Sequence, residues 1–223
     1  MGFAVESKGK VVTIRMNPAI ERIEENIGSR NMSDKIMWFS MWFLLTIVTF
    51  GAVGPFMIYY LIKRRNSHFE RLAKLQELVL DPLGDVSSES GQSLHAHTSN
   101  SPEHKATVRL RNALAWALLS ILIFPLIYIL YFLTKDLQAH EESEHSFFVE
   151  ILSRFPSFDT SLPGGTFEIN RRPWIKYFLL VGVTLGFASV YWLYRIFNDY
   201  NYHFKMEWKI EDNLLSCLRN EYP

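Results

Sequence analysis

On a helix, His140 and Glu144 stand one turn apart, and so do Glu141 and His145. An imidazole and a carboxylate on one helix face are donors that a first-row divalent ion accepts. His140, Glu144 and His145 are therefore candidate metal ligands, the alternative being an ordinary acidic surface helix. His68 and His203 form a second pair, far apart in the chain but set in similar surroundings. They would form a symmetric pair that titrates near neutral pH or binds a metal, or hydrogen-bond locally as interfacial side chains. His95 and His97, with His104 nearby, sit in a Ser-, Gly- and Asn-rich stretch where solvated histidines are expected. The single cysteine, Cys217, excludes an intrachain disulfide and reads as a free thiol. No nucleophile–base pair, phosphate-cradling glycine loop or dense metal motif appears. The expectation is a protein that is not an enzyme and uses no cofactor.

The likeness of the surroundings of His68 and His203 extends much further. Laying residues 42–69 on residues 177–204 without a gap matches Phe43, Leu44, Leu45, Val48, Thr49, Gly51, Tyr59, Asn66, His68 and Phe69 with identical residues. Apolar matches arise easily by composition, but Thr, Gly, Asn and His in register do not, which marks an internal repeat. Tyr131, Lys135 and His140 follow the spacing of Tyr59, Lys63 and His68, a faint third copy.

Three apolar blocks, residues 36–62, 113–134 and 174–197, must position these histidines. Each is long enough, at about 20 residues, to cross a hydrocarbon core as one helix. The expected fold is an all-α membrane protein with three transmembrane helices. Two of them, the first and third, continue into cytoplasmic amphipathic helices, with stripes Phe69, Leu72, Leu75, Val79 and Met206, Ile210, Leu214, Cys217. The expected division is an N-terminal head over residues 1–35 and a first span with its helix over 36–82. A flexible linker follows over 83–106, then a second span with an acidic helix over 107–155. An outer loop over 156–173 and a third span with its helix over 174–223 complete the chain. In the head, residues 11–16 suggest a strand, and Asn17-Pro18 opens a helix with Ile20, Ile23 and Ile27 on one face. Pro125 would kink the second span, and Asp81-Pro82-Leu83-Gly84 would stop the first extension.

Lysine and arginine together equal aspartate and glutamate at 23 each, which gives no signal for nucleic acid. The local distribution is uneven. Lys63, Arg64, Arg65, Lys105, Arg109 and Arg111 cluster between the first two blocks, which predicts that loop, and the C-terminus, in the cytoplasm and the N-terminus outside. Gly182, Gly186 and Ser189 form a small-residue stripe, echoed by Gly51 and Gly54, so close helix packing or contact between copies is expected there. Tyr59 and Tyr194, with His68 and His203 beyond them, are expected at the membrane interface.

Thr184-Leu185-Gly186 followed by Tyr191-Trp192-Leu193-Tyr194-Arg195 and a polar Asn-x-His stretch resembles the DUF4234 group of uncharacterised prokaryotic multi-pass membrane proteins. The first copy is similar more loosely, with Pro55, Phe56 and Met57 where Val190, Tyr191 and Trp192 stand. The resemblance implies membrane location and no activity. The leading expectation is a non-enzymatic membrane accessory or scaffold subunit in the cell membrane, with the lipid bilayer and other subunits or its own copies as partners. The alternatives are an oligomeric pore or transport component, or a histidine-based metal or pH sensor.

Overall fold

A computed structural model describes residues 18–89, 110–154 and 172–221. All secondary structure among these residues is helical: α1 (18–28), the short α2 (Arg30–Ser33), α3 (Phe39–Val48), α4 (Gly54–Glu89), α5 (Ala113–Leu119), α6 (Ile123–Arg154), α7 (Trp174–Val183) and α8 (Ala188–Glu221). The expected strand, the three linker histidines and nearly all of the outer loop lie outside the described residues.

Each apolar block is two helices rather than one. The breaks fall at residues 49–53, 120–122 and 184–187, and at each the chain doubles back. On a continuous helix Trp42 and Tyr60 would lie about 27 Å apart along the axis, yet their ring centroids are 5.7 Å apart. Trp116 and Phe132 approach to 5.2 Å, and Tyr177 stacks on Trp192 at 5.6 Å. The expectation of three continuous spans is thus corrected to three helical hairpins. No helix of the described residues is long and apolar enough to cross a membrane.

The reason lies in the Thr-x-Gly turn. Thr49 donates its hydroxyl to the Leu45 carbonyl (2.8 Å) and accepts from Val53 N–H (3.2 Å), while Gly51 N–H reaches back to the Thr46 carbonyl (2.7 Å). Thr184 donates to the Leu180 carbonyl (2.8 Å) and accepts from Ala188 N–H (2.9 Å), and Gly186 N–H bonds the Val181 carbonyl (2.8 Å). Phe50-Gly51 and Leu185-Gly186 are left-handed at both residues, with the glycines at φ 91° and 99°, a conformation that glycine adopts freely. Gly51 and Gly186 make the turns, and a Cβ on Gly51, Gly182 or Gly186 would meet nothing of this chain within 4 Å. Gly54 faces Thr46 of its own hairpin, and half-buried Ser189 bonds back to Gly186. Pro125 lies in the first turn of α6, where its missing N–H is harmless, so it follows a break rather than kinking a span.

Every hairpin begins and ends at the same level. The Lys35 carbonyl accepts from Arg64 (3.2 Å), Arg111 pairs with Asp136 (3.1 Å), and Arg172 pairs with Asp199 (3.0 Å). From that level α4, α6 and α8 run on together as a bundle. α4 continues through Pro82 and Gly84 to Glu89, past the expected stop. α1 packs Ile20, Ile23 and Ile27 into an apolar cluster with Leu72, Leu75, Phe147, Leu214 and neighbours. Glu24 of α1 pairs with Arg219 near the end of α8 at 2.7 Å. The N-terminal helix and the C-terminal helix therefore lie at one end of the molecule, where opposite sides of a membrane were expected.

The three units are joined in a ring. Asn201 of α8 clamps the Met37 backbone ahead of α3, donating at 2.7 Å and accepting at 3.2 Å. Asn66 of α4 clamps the Arg111 backbone ahead of α5 at the same two distances. Glu141 of α6 closes the ring by gripping the Arg172 guanidinium ahead of α7 with both oxygens, at 2.7 and 2.8 Å. Each long helix thus holds the entrance of the next hairpin.

Candidate metal centre

Two apolar clusters, one at the hairpin bases and one around α1, enclose a polar layer in the bundle. His68 of α4, His140 of α6 and His203 of α8 project into it from equivalent positions. Their ring centroids form a near-equilateral triangle of 5.1, 5.3 and 5.4 Å, with the planes crossed at 82°, 80° and 69°. Glu144, one turn beyond His140, adds a carboxylate. One donor atom from each of the four lies within 4.8 Å of every other.

The supporting contacts follow the same cyclic order. Phe69, next after His68, stacks on His140 at 3.8 Å, and Phe204, next after His203, packs on His68 at 4.4 Å. Glu141, next after His140, sets an oxygen 3.6 Å from Nδ1 of His203. Each unit thus steadies the imidazole of its neighbour.

The donor atoms converge, and two of them, Nε2 of His140 and Oε1 of Glu144, have no hydrogen-bond partner. Nδ1 of His68 faces Asp34 at 2.9 Å, so that nitrogen carries the proton and Nε2 carries the lone pair. Nε2 of His68 lies 3.2 Å from Nε2 of His203. Nε2 of His140 and Oε1 of Glu144 are 2.8 Å apart, but both are buried and neither is aligned for a hydrogen bond. Glu144 Oε1 is also 3.7 Å from His203 Nε2. Two ligands of a tetrahedral zinc ion, at bond lengths of 2.0–2.1 Å, sit about 3.3 Å from each other. The observed separations straddle that value. The four donor atoms could hold one cation between them, and three imidazoles with a carboxylate suit zinc and its first-row neighbours.

Electrostatics agree. Burial pushes His68 down to about 4 and His140 down to about 3, and it drives His203 well below the usual imidazole range, with the other histidines adding to the effect on His203. All three are neutral at pH 7, the form that binds metal. Burial, reinforced by Glu141 and Glu211, lifts Glu144 well above the usual carboxyl range. Burial alone would raise Asp34 as well, but hydrogen bonding and charge from His68 and Arg71 hold it well below the usual range. Arg71 donates to Asp34 at 2.8 Å and also pairs with Glu211, while Ser33 (2.6 Å) and Trp208 (2.9 Å) complete the grip on Asp34.

The outcome for each expected site residue is specific. His140 and Glu144 are in the centre, together with His68 and His203. His145 is half-buried, with a partner elsewhere, and is not among the four. Tyr59 lies under the Lys63 ammonium at 5.7 Å, and Tyr194 packs edge-on against Phe39 at 5.4 Å, both on the hairpins. Asp34 was missed, because one carboxylate ahead of an apolar block carries no spacing signal. The chain matches no family model, no curated protein and no solved structure, so its chemistry is read from its own side chains.

Proposed function

We propose that this protein is a non-enzymatic helical scaffold organised on a buried metal centre of the zinc class, with His68, His140, His203 and Glu144 as ligands. The observation that carries the reading is the triangle of neutral imidazoles, one from each unit, closed by a Glu144 carboxyl whose buried Oε1 has no hydrogen-bond partner. Four protein ligands in a buried layer fit a closed structural site, whereas a catalytic zinc site keeps a position open for water or substrate. The metal would tie together three helices that otherwise meet through a layer of unsatisfied polar atoms. The scaffold would present its long helices to other membrane subunits or to its own copies.

The test is elemental analysis of protein purified without chelators, followed by thermal unfolding before and after chelation. About one equivalent of a zinc-class ion per chain and a fall in Tm on chelation are expected. A chain free of metal, whose Tm neither zinc, cobalt nor iron raises, would remove the centre from the scaffold.

A further inference from the structure

Among the described residues, the most exposed large apolar side chains stand not at the candidate metal centre but at the hairpin tips. Phe50 is 100% exposed, Leu185 91%, Phe124 87% and Phe187 83%. We propose that the three hairpins are monotopic anchors. They enter a lipid leaflet from the side that carries the long helices, turn inside it and leave by the same side. This goes beyond the metal reading and does not depend on it.

Four observations favour acyl chains over a protein partner. Strongly exposed apolar side chains stand at the tip of each hairpin, Phe50 on the first, Phe124 on the second and Leu185 with Phe187 on the third. No charged residue occurs within residues 36–62, 112–134 or 177–194. The turn backbone carries its own hydrogen bonds through Thr49, Gly51, Thr184 and Gly186, and hydrocarbon tolerates polar backbone only when it is satisfied internally. Finally, exposed Trp38 and Tyr60 stand within about a turn of the first hairpin's base, with exposed Lys35, Lys63 and Lys176 near the bases as well. Amphipathic rings settle at headgroup level, and lysines there attract anionic lipid.

Length selects one leaflet. α3 and α7 have 10 residues each, about 15 Å of helix, roughly half of a hydrocarbon core. The level of entry and exit is fixed by Arg64 on the Lys35 carbonyl and by the pairs Arg111–Asp136 and Arg172–Asp199. Hairpins tied at that level return to the side from which they came.

The experiment uses the full chain in a C217S background, expressed in bacterial membranes prepared as right-side-out and inverted vesicles. Single cysteines are placed at E21C, E142C and K209C, all exposed on the bundle, and at F50C and L185C. A bulky membrane-impermeant maleimide is then applied. Bundle positions should all label in one vesicle orientation and none in the other, and tip positions should label in neither until detergent is added. Bundle positions divided between the two orientations would overturn the proposal, as would tip cysteines labelled from the opposite side. It would also fall if the chain were a discrete water-soluble oligomer without lipid or detergent, its tips covered by other copies. The tips are exposed, so F50D and L185D leave the fold intact, and they should shift the chain from the membrane to the soluble fraction by tenfold or more. No shift would count equally against the anchor.

Discussion

Nε2 of His68 faces Nε2 of His203 across 3.2 Å, while Nδ1 of His68 turns away to Asp34 at 2.9 Å. The carboxylate sets the tautomer and therefore which nitrogen is free to ligate. D34N keeps the shape but removes the charge and permits the wrong tautomer. It should weaken zinc binding about 10- to 100-fold, the usual effect of losing such an orienting partner. H68A should weaken it further. Competition against a chromophoric chelator gives both affinities, and equal affinity in D34N and wild type would reduce Asp34 to a packing role.

Glu144 is raised well above the usual carboxyl range by burial, and it must ionise to bind a cation. Zinc binding at pH 7 should therefore release about one proton, since the imidazoles are already neutral. Calorimetric titration in buffers of different ionisation enthalpy reads that proton directly. E144Q should still bind, more weakly, and release none.

A depressed imidazole pKa has a defined consequence for stability. Below pH 6.5 the unfolded chain protonates His68, whereas the folded apoprotein holds it neutral until about pH 4. The unfolded state then binds more protons, so stability falls as pH falls through that window. Wild-type apoprotein should lose about 3 kcal/mol relative to H68Q between those limits. Parallel unfolding curves for the two proteins over the same pH range would contradict the burial of that ring.

The glycines separate two roles. Gly186 sits at φ 99° in a turn with open space around it, and Gly182 is in α7, also with open space. G186A should destabilise by about 1 kcal/mol, from left-handed backbone strain alone. G182A should be neutral or stabilise by up to about 1 kcal/mol, through helix propensity. A large loss in G182A would instead mean that another chain packs against that face.

The amphipathic stripes of α1, α4 and α8 were legible because burial of one face leaves a period of three to four residues in the sequence. Ile23, Leu72, Val79 and Leu214 all lie in the interior. The hairpins were not legible, since hydropathy averages over a window and is blind to two left-handed residues in its middle. Thr49 and Gly51 were noticed as repeat markers, but their hydrogen-bonding role appears only once the chain reverses. Three of the four donors, His68, His140 and His203, were already aligned by the spacing of Tyr59, Lys63 and His68. Their convergence was missed because a three-residue match is weak, and because Glu141 and His145 made a local pairing on the same helix look equally good. Arg172, whose side chain ends on Glu141 and Asp199, could not be placed, because nothing local says which helix will receive it.

The cyclic order in which each unit steadies the next has a consequence for biogenesis. A ring of three equivalent parts is usually made by three chains meeting, and its assembly then depends on their concentration. Here the parts arrive one after another from a single ribosome. His68 is synthesised first and His203 last, and the Asn201 clamp on Met37 joins the final segment to the earliest hairpin. Until α8 emerges, the first two histidines have no third, and the start of α3 is unclamped. Metal capture would thus mark completion of the chain, and a copy truncated before α8 would carry an incomplete ligand set that quality-control proteases can recognise.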